Sequence, residues 1–145
     1  MLSRIPDIDR FIAREALIWL NYAIMPLDLD ELCEVVALKD GCDVLDEYDR
    51  LQDLFLLPDT CLGLITYNVS TRYVTSAHFS VKEYLTSPRR KADNPFYYVE
   101  QRSAHTDLAS KCLAYLSFPE FKTGACDSET LEERFGDWPL LQYAT

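Results

Sequence analysis

Glycine, histidine and paired cysteines are scarce in this sequence, and each shortage removes a class of site. The 145 residues include only four glycines and two histidines. Four separated glycines cannot form the glycine-rich loops that cradle phosphates in P-loop and dinucleotide-binding proteins. The five cysteines form no C-x-x-C pair, and neither histidine has a partner at a trustworthy metal-ligand spacing. The G-x-S-x-G motif of many hydrolases is also missing. The sequence therefore predicts no catalytic residues, no metal site and no enzyme activity of its own.

Long apolar runs are missing as well. No stretch approaches the roughly 18 apolar residues that a membrane-spanning helix needs. The opening residues, M-L-S-R-I-P-D, contain no hydrophobic signal core. An odd, scattered set of cysteines is typical of small buried side chains in a reducing compartment. These features predict a cytoplasmic chain that does not enter a membrane. The hydrophobic content of 48% is nevertheless enough for the core of about one domain.

Basic residues are few relative to acidic ones. The chain has 14 Lys and Arg against 24 Asp and Glu, a formal charge of −10. Residues 1–88 hold 15 of the acidic side chains and 7 of the basic ones. A field of this sign repels the phosphate backbone of nucleic acids. Charge therefore argues against nucleic acid as a partner.

Apolar residues recur at helical spacing in several segments. The predicted helices span residues 7–23, a short stretch after Asp28, and residues 43–57, 80–87, 100–117, 128–135 and 138–144. Asp28 and Glu31 have the spacing of a capping box. The predicted buried stripe of the first helix comprises Ile8, Phe11, Ile12, Ala16, Trp19, Leu20 and Ala23.

Alternating apolar residues predict a β-hairpin after the third helix. Its strands lie in Cys61–Val69 and Arg72–Ala77, with the turn around Ser70 and Thr71. Three helices, a hairpin and a further helix form the order of a winged helix, a variant of the helix-turn-helix. The predicted fold class is mainly α with a small β-hairpin wing. Residues 1–88 would form the winged helix, and residues 89–145 a helical extension that begins with a polar linker at 89–95.

The stretch Val74–Pro88 carries the most distinctive candidate residue, His78. Ser80 is the predicted N-cap of the following helix, and Glu83 completes its capping box. His78 would then lie where a strand meets a helix N-terminus, where free N–H groups and the helix dipole favour an anion. The alternative is that His78 only caps or packs at a turn.

Six segments carry a combination of motifs that can be compared with known families. They are A-L-I-W-L at 16–20, P-L-x-L-x-E-L at 26–32, C-L-G-L-I at 61–65, H-F-S-V-K-E-Y-L at 78–85, A-H-x-x-L-A-x-x-C-L-x-Y-L at 104–116 and P-L-L-x-Y-A at 139–144. In this order they resemble the region between the NACHT module and the ankyrin repeats of fungal STAND-type signalling ATPases. That region is a winged-helix domain of the GPI inositol-deacylase-like type. One departure is Met25, which stands where the family usually has an arginine before the Pro-Leu pair.

The resemblance implies a non-catalytic regulatory domain that links the ATPase module to the repeats and holds the resting state. In the family, the histidine of a motif similar to H-x-S-x-x-[DE]-[FY]-L touches the nucleotide phosphates, and that position here is His78. His105 falls at a helix start and is assigned packing only. The chain itself would hold no cofactor, whereas ADP or ATP would be bound in the full-length context. The NACHT module would precede Asp7 and the ankyrin repeats would follow Ala144, as partners in cis.

Two alternatives stay open beside this function. One is a stand-alone protein–protein interaction module. The other is a nucleic-acid-binding winged helix, which is disfavoured because the predicted recognition helix carries five acidic residues and one arginine, Arg50. The hydrolase activity suggested by the family label would belong to another domain.

Overall fold

The fold is mainly helical with a small antiparallel sheet, as predicted. The computed structural model describes residues 2–124 and 128–145. These residues form eight α-helices and three short strands. A winged helix is followed by a helical extension, so the predicted fold class is confirmed.

Four helices belong to the winged helix: α1 (Arg10–Tyr22), α2 (Leu29–Ala37), α3 (Leu56–Thr60) and α4 (Ser80–Thr86). Helix α1 packs against α2, α3 and the sheet. The predicted capping box of α2 is confirmed: the Asp28 carboxylate accepts from the Glu31 N–H, and the Glu31 carboxylate accepts from the Asp28 N–H, both at 2.8 Å. These two bonds fix where α2 begins, because they satisfy backbone donors that the helix itself cannot pair.

The sheet contains β1 (Leu27–Asp28), β2 (Ile65–Tyr67) and β3 (Tyr73–Ser76), in the order β1-β3-β2 with antiparallel pairs. The β2–β3 hairpin confirms the sequence prediction. Its turn is stabilised by Asn68 Oδ1, which accepts from the N–H groups of Ser70 and Thr71. Strand β1 was not predicted, because two residues are too few to show alternation. It pairs Leu27 with Val74 and closes the sheet against α2.

The predicted helix over residues 43–57 is wrong. A 3-10 turn at Glu47–Asp49 and the short helix α3 are the helical parts of this region. The carboxylates of Asp46 and Asp53 accept from the N–H groups two residues ahead, at 3.0 Å each. Such local bonds compete with helical ones, and they leave the apolar residues here without a common buried face. Val44, Tyr48 and Phe55, which would share one face of such a helix, are exposed.

The buried face of α1 is also shifted from the prediction. Ile8 precedes the helix, and both Ile8 and Phe11 are exposed. The fully buried residues of α1 are Ala13, Ala16, Leu17, Ile18 and Trp19. The buried residues differ from the predicted stripe because α1 is covered on two sides. The winged-helix elements cover one side, and α6 covers the other.

The segment predicted as an extension contains α5 (Pro88–Asp93), α6 (Gln101–Leu116), α7 (Ser128–Asp137) and α8 (Leu141–Ala144). The prediction of a linker at 89–95 is wrong for most of its length, because α5 occupies it. Ser87 caps α5 by accepting from the Arg90 N–H at 3.2 Å. The predicted helix over 100–117 is confirmed by α6, with Ala104, Leu108 and Tyr115 buried.

The extension and the winged helix share contacts across the predicted boundary. Arg14 Nε donates to the Phe96 carbonyl at 2.8 Å. The Ile24 N–H donates to Tyr143 Oη at 3.0 Å, and the Trp19 and Tyr143 rings meet edge to face. The division between residues 88 and 89 stays a prediction.

The described helices do not include one with both the length and the apolar content that a bilayer span requires.

Candidate functional site

His78 lies in the connection between β3 and α4 with its side chain exposed to solvent. Its Nδ1 atom accepts from the backbone N–H of Ser80 at 3.2 Å and lies 2.8 Å from Ser80 Oγ. The Phe79 ring is 4.3 Å away between centroids. The imidazole therefore has a defined position although it is on the surface.

The predicted roles of Ser80 and Glu83 at the start of α4 are wrong. Ser80 is the first residue of α4, the N-cap position is Phe79, and no side chain of that residue caps the helix. His78 performs the capping instead, through Nδ1 and through its carbonyl, which accepts from the Val81 N–H at 3.0 Å. The sequence analysis expected free backbone N–H groups here that favour an anion. The N–H groups of Ser80 and Val81 are instead already bonded to His78. Any anion contact here depends on the imidazole itself.

The capping bond determines which imidazole nitrogen carries a proton. A backbone N–H can only donate, so Nδ1 accepts and is unprotonated while this bond exists. The neutral ring then carries its proton on Nε2. No hydrogen bond of Nε2 is found among the described residues. His78 therefore presents an oriented N–H donor to solvent, a group suited to an anionic oxygen.

His105 lies apart from this junction. Its ring meets Tyr22 edge to face, with the centroids 5.6 Å apart. This contact agrees with the packing role that the sequence suggested.

The sequence did not single out a buried polar network that joins α2 to the extension. Glu34 is 4% exposed, and its Oε1 atom accepts from Arg50 Nη2 and from Tyr115 Oη, both at 2.8 Å. Arg50 also donates to the Asp137 carbonyl at 3.2 Å, and its guanidinium lies 5.1 Å from the centre of the Trp138 ring. The only available signal was an acidic residue inside the apolar run of α2.

Burial and the nearby Glu34 carboxylate raise the pKa of Tyr115 above its ordinary value. The phenol thus stays protonated and donates to Glu34. Arg50 and Tyr115 both donate to the same Glu34 oxygen, so the network connects α2 to the segment before α3 and to α6.

Two of the described thiols are buried and not activated as nucleophiles. Burial raises the pKa of Cys33 and of Cys61 to about 12, so both are protonated near neutral pH. Cys42 and Cys112 are also unpaired, and Cys126 lies outside the described residues. Within residues 2–124 and 128–145, no three His, Cys, Asp or Glu side chains converge as metal ligands would.

Comparison with known proteins identifies the winged helix. Residues 6–96 match the family described as GPI inositol-deacylase, winged helix domain. The chain is also 31% identical over 135 residues to the azaphilone pigments biosynthesis cluster protein L of Monascus ruber, in an alignment that covers 86% of this chain and 27% of that protein. The chain thus spans about a quarter of the length of this relative. No solved structure matches the chain significantly. Since the matched family covers α1 to α5 in the order that the fold displays, the chain belongs to the GPI inositol-deacylase winged helix domain family.

Proposed function

We propose that this chain is a non-catalytic regulatory domain of a NACHT-type signalling ATPase. It links the nucleotide-binding module to C-terminal ankyrin repeats and stabilises the resting state. The observation that carries this proposal is the exposed side chain of His78. Its Nδ1 atom accepts from the Ser80 N–H, so Nε2–H is the group that remains for a ligand. The resemblance to the NACHT-associated domains supplies the phosphate as its ligand. In this context the protein is cytoplasmic, and its partners are the NACHT module, the repeats and other proteins.

The nucleotide is bound by the NACHT module, and His78 adds one contact to it. The chain alone has no glycine-rich loop for phosphates, and its charge of −10 repels them. Nε2–H of His78 would donate to a phosphate oxygen of ADP when the two modules are joined. A hydrogen bond to a charged group contributes about 1.5–3 kcal/mol. Its loss would weaken ADP binding by roughly 10- to 150-fold and favour the active form.

Two substitutions at His78 separate the phosphate contact from helix capping. His78→Ala removes both Nδ1 and Nε2. His78→Asn removes the Nε2–H donor but keeps a side-chain acceptor for the Ser80 N–H. Asn68 already makes this kind of bond in the chain, because its Oδ1 atom accepts from the Ser70 N–H, two residues ahead, at 2.9 Å. We expect His78→Asn to retain the melting temperature of the wild type, whereas His78→Ala is less stable by a capping contribution of about 0.5–2 kcal/mol.

The test uses a fusion protein in which a NACHT module of the family precedes this chain. The release of a fluorescent ADP analogue is followed by stopped flow for the wild type, both His78 variants and the control His105→Ala. Both His78 variants should release ADP at least tenfold faster, and His105→Ala should match the wild type. Equal release rates for His78→Asn and the wild type would contradict the phosphate contact.

The alternative of a nucleic-acid-binding winged helix has no support in the described structure. The segment that would be the recognition helix is mostly non-helical, and Arg50, its one basic residue, is held by Glu34. We therefore propose that nucleic acid is not a partner.

A further inference from the structure

A groove with apolar walls lies between the end of α1, strand β3 and helix α4. Its volume is about 420 Å³, and His78 is next to it in the chain but does not line it. We call it the α1–α4 groove, and its principal lining residues are Ile24, Met25, Pro26, Val74, Phe79 and Lys82. Three of them are unusually exposed for apolar side chains: Ile24 at 91%, Phe79 at 72% and Met25 at 49%. Large apolar side chains exposed together around a concave surface are typical of interaction sites.

The walls of the α1–α4 groove are held by bonds elsewhere in the fold. The Ile24 N–H donates to Tyr143 Oη, which ties the α1–β1 connection to α8. Lys82 Nζ donates to the Asn21 carbonyl at 2.8 Å, which ties α4 to the end of α1. On the floor, Val74 pairs with Leu27 in the sheet. A preformed site loses less conformational freedom on binding, which favours affinity.

The charge of the α1–α4 groove is opposite to that of the molecule as a whole. Lys82 lines it, whereas no acidic residue is among its lining residues. Asp28, which is close in the chain, is engaged in the capping box of α2. The Lys82 ammonium donates to the Asn21 carbonyl and lies 4.7 Å from the centre of the Tyr22 ring, and its side chain is still exposed to a partner. Lys82 is therefore a local partner for a carboxylate that no acidic residue of the groove lining already pairs with.

We propose that the α1–α4 groove binds a short peptide segment with large apolar side chains and an adjacent carboxylate. The apolar side chains would contact Ile24, Met25 and Phe79, and the carboxylate would pair with Lys82. Met25 is flexible and polarisable, so it can adapt to side chains of different shape. This inference rests on the proposed interaction role of the domain and is independent of the phosphate contact of His78.

The experiment selects partners from a displayed library of random twelve-residue peptides with the intact chain as bait. The selected peptides are then synthesised, and their affinities are measured by fluorescence anisotropy. We expect enrichment of peptides that combine two or more large apolar residues with Asp or Glu. No enrichment, or enrichment of basic peptides, would overturn the proposal.

Matched variants locate the binding. Ile24→Ser and Phe79→Ser should each lower the affinity at least tenfold, and Lys82→Glu should lower it further for the acidic peptides. Val69→Ser is the control, because Val69 is a similar side chain, 81% exposed, outside the groove. Thermal unfolding by circular dichroism verifies that each variant is folded, as these side chains contribute little to the core.

The outcome also separates this inference from the phosphate contact of His78. Ile24→Ser should lower peptide affinity and leave ADP release from the fusion protein unchanged, because Ile24 lines the groove and is not among the groups in contact with the imidazole. Peptides that bind Ile24→Ser and Phe79→Ser as tightly as the wild type would refute the α1–α4 groove as their site, whatever the ADP experiment shows.

Discussion

The buried contact between Glu34, Arg50 and Tyr115 is a stringent test of how the winged helix and the extension are joined. Tyr115→Phe removes one donor to the buried carboxylate but leaves the ring and the Arg50 bond in place. The lost bond joins a neutral donor to a charged acceptor that is 4% exposed, so we expect a loss of about 1.5–3 kcal/mol in the free energy of unfolding.

Arg50→Met should cost more than Tyr115→Phe. It removes the cation that compensates the buried Glu34 carboxylate. Because the Arg50 side chain is 34% exposed, we expect a loss of about 3 kcal/mol, the lower end of the range for fully buried pairs. It also removes the bond to the Asp137 carbonyl and the contact with the Trp138 ring. Because Arg50 and Tyr115 both donate to Glu34 Oε1, the double variant should differ from the sum of the single variants.

Urea unfolding followed by tryptophan fluorescence measures these changes at neutral pH under reducing conditions. Lys39→Met is the control, because Lys39 pairs with Asp49 on the surface and such pairs contribute little. Its unfolding midpoint should stay within the measurement error of the wild type. A loss below about 0.5 kcal/mol for Tyr115→Phe, or additive effects in the double variant, would refute the network.

Three further expectations concern stability, partners and domain organisation. Burial raises the pKa of the Cys61 thiol from 9.0 to about 12, so the folded chain keeps a proton that the unfolded chain loses above about pH 9. Stability should therefore fall as pH rises from 9 toward 12, with on the order of 1 kcal/mol lost from this thiol at pH 10. Urea titrations should show a weaker pH dependence for Cys61→Ala. Duplex DNA should not bind at low salt, where electrostatic attraction is strongest, and micromolar affinity in an anisotropy titration would overturn this expectation. If the chain divides between residues 88 and 89, limited trypsin digestion should cut first at Arg89 or Lys91, which are exposed. Cleavage at Arg90 should come later, because its side chain is 17% exposed and lies over the Tyr84 ring. Protection of all three sites while others are cut would indicate one continuous unit.

Local sequence determined the elements that are stabilised by neighbours in the chain. The capping box of α2 needs only Asp28 and Glu31, three residues apart, so the sequence predicts it without knowledge of the fold. The hairpin turn is similar, because Asn68 bonds to backbone groups two and three residues ahead. Helix α6 carries Ala104, Leu108 and Tyr115 four and seven positions apart, and these residues are buried. The predicted order of three helices, a hairpin and a further helix gave the winged-helix fold class, although the third helix is only the short α3.

The candidate site was predicted in position but not in mechanism. The sequence placed His78 between a strand and a helix, and the structure has it there. It assigned the cap to Ser80, whereas the imidazole takes the Ser80 N–H. A cap at Ser80 would accept from the N–H two or three residues ahead, whereas His78 Nδ1 accepts from the Ser80 N–H itself, and only the folded geometry determines where α4 begins.

Tertiary structure alone decided the features that join distant parts of the chain. Residues 43–57 have helical periodicity, but carboxylates that bond locally and the lack of a single covering surface prevent a continuous helix. Strand β1 has only two residues and exists because β3 offers it a partner. Glu34 meets Tyr115 across 81 positions, and the α1–α4 groove combines the end of α1 with β3 and α4. Periodicity reports which residues of one segment share a face, whereas the surface that covers that face comes from residues far away in the chain.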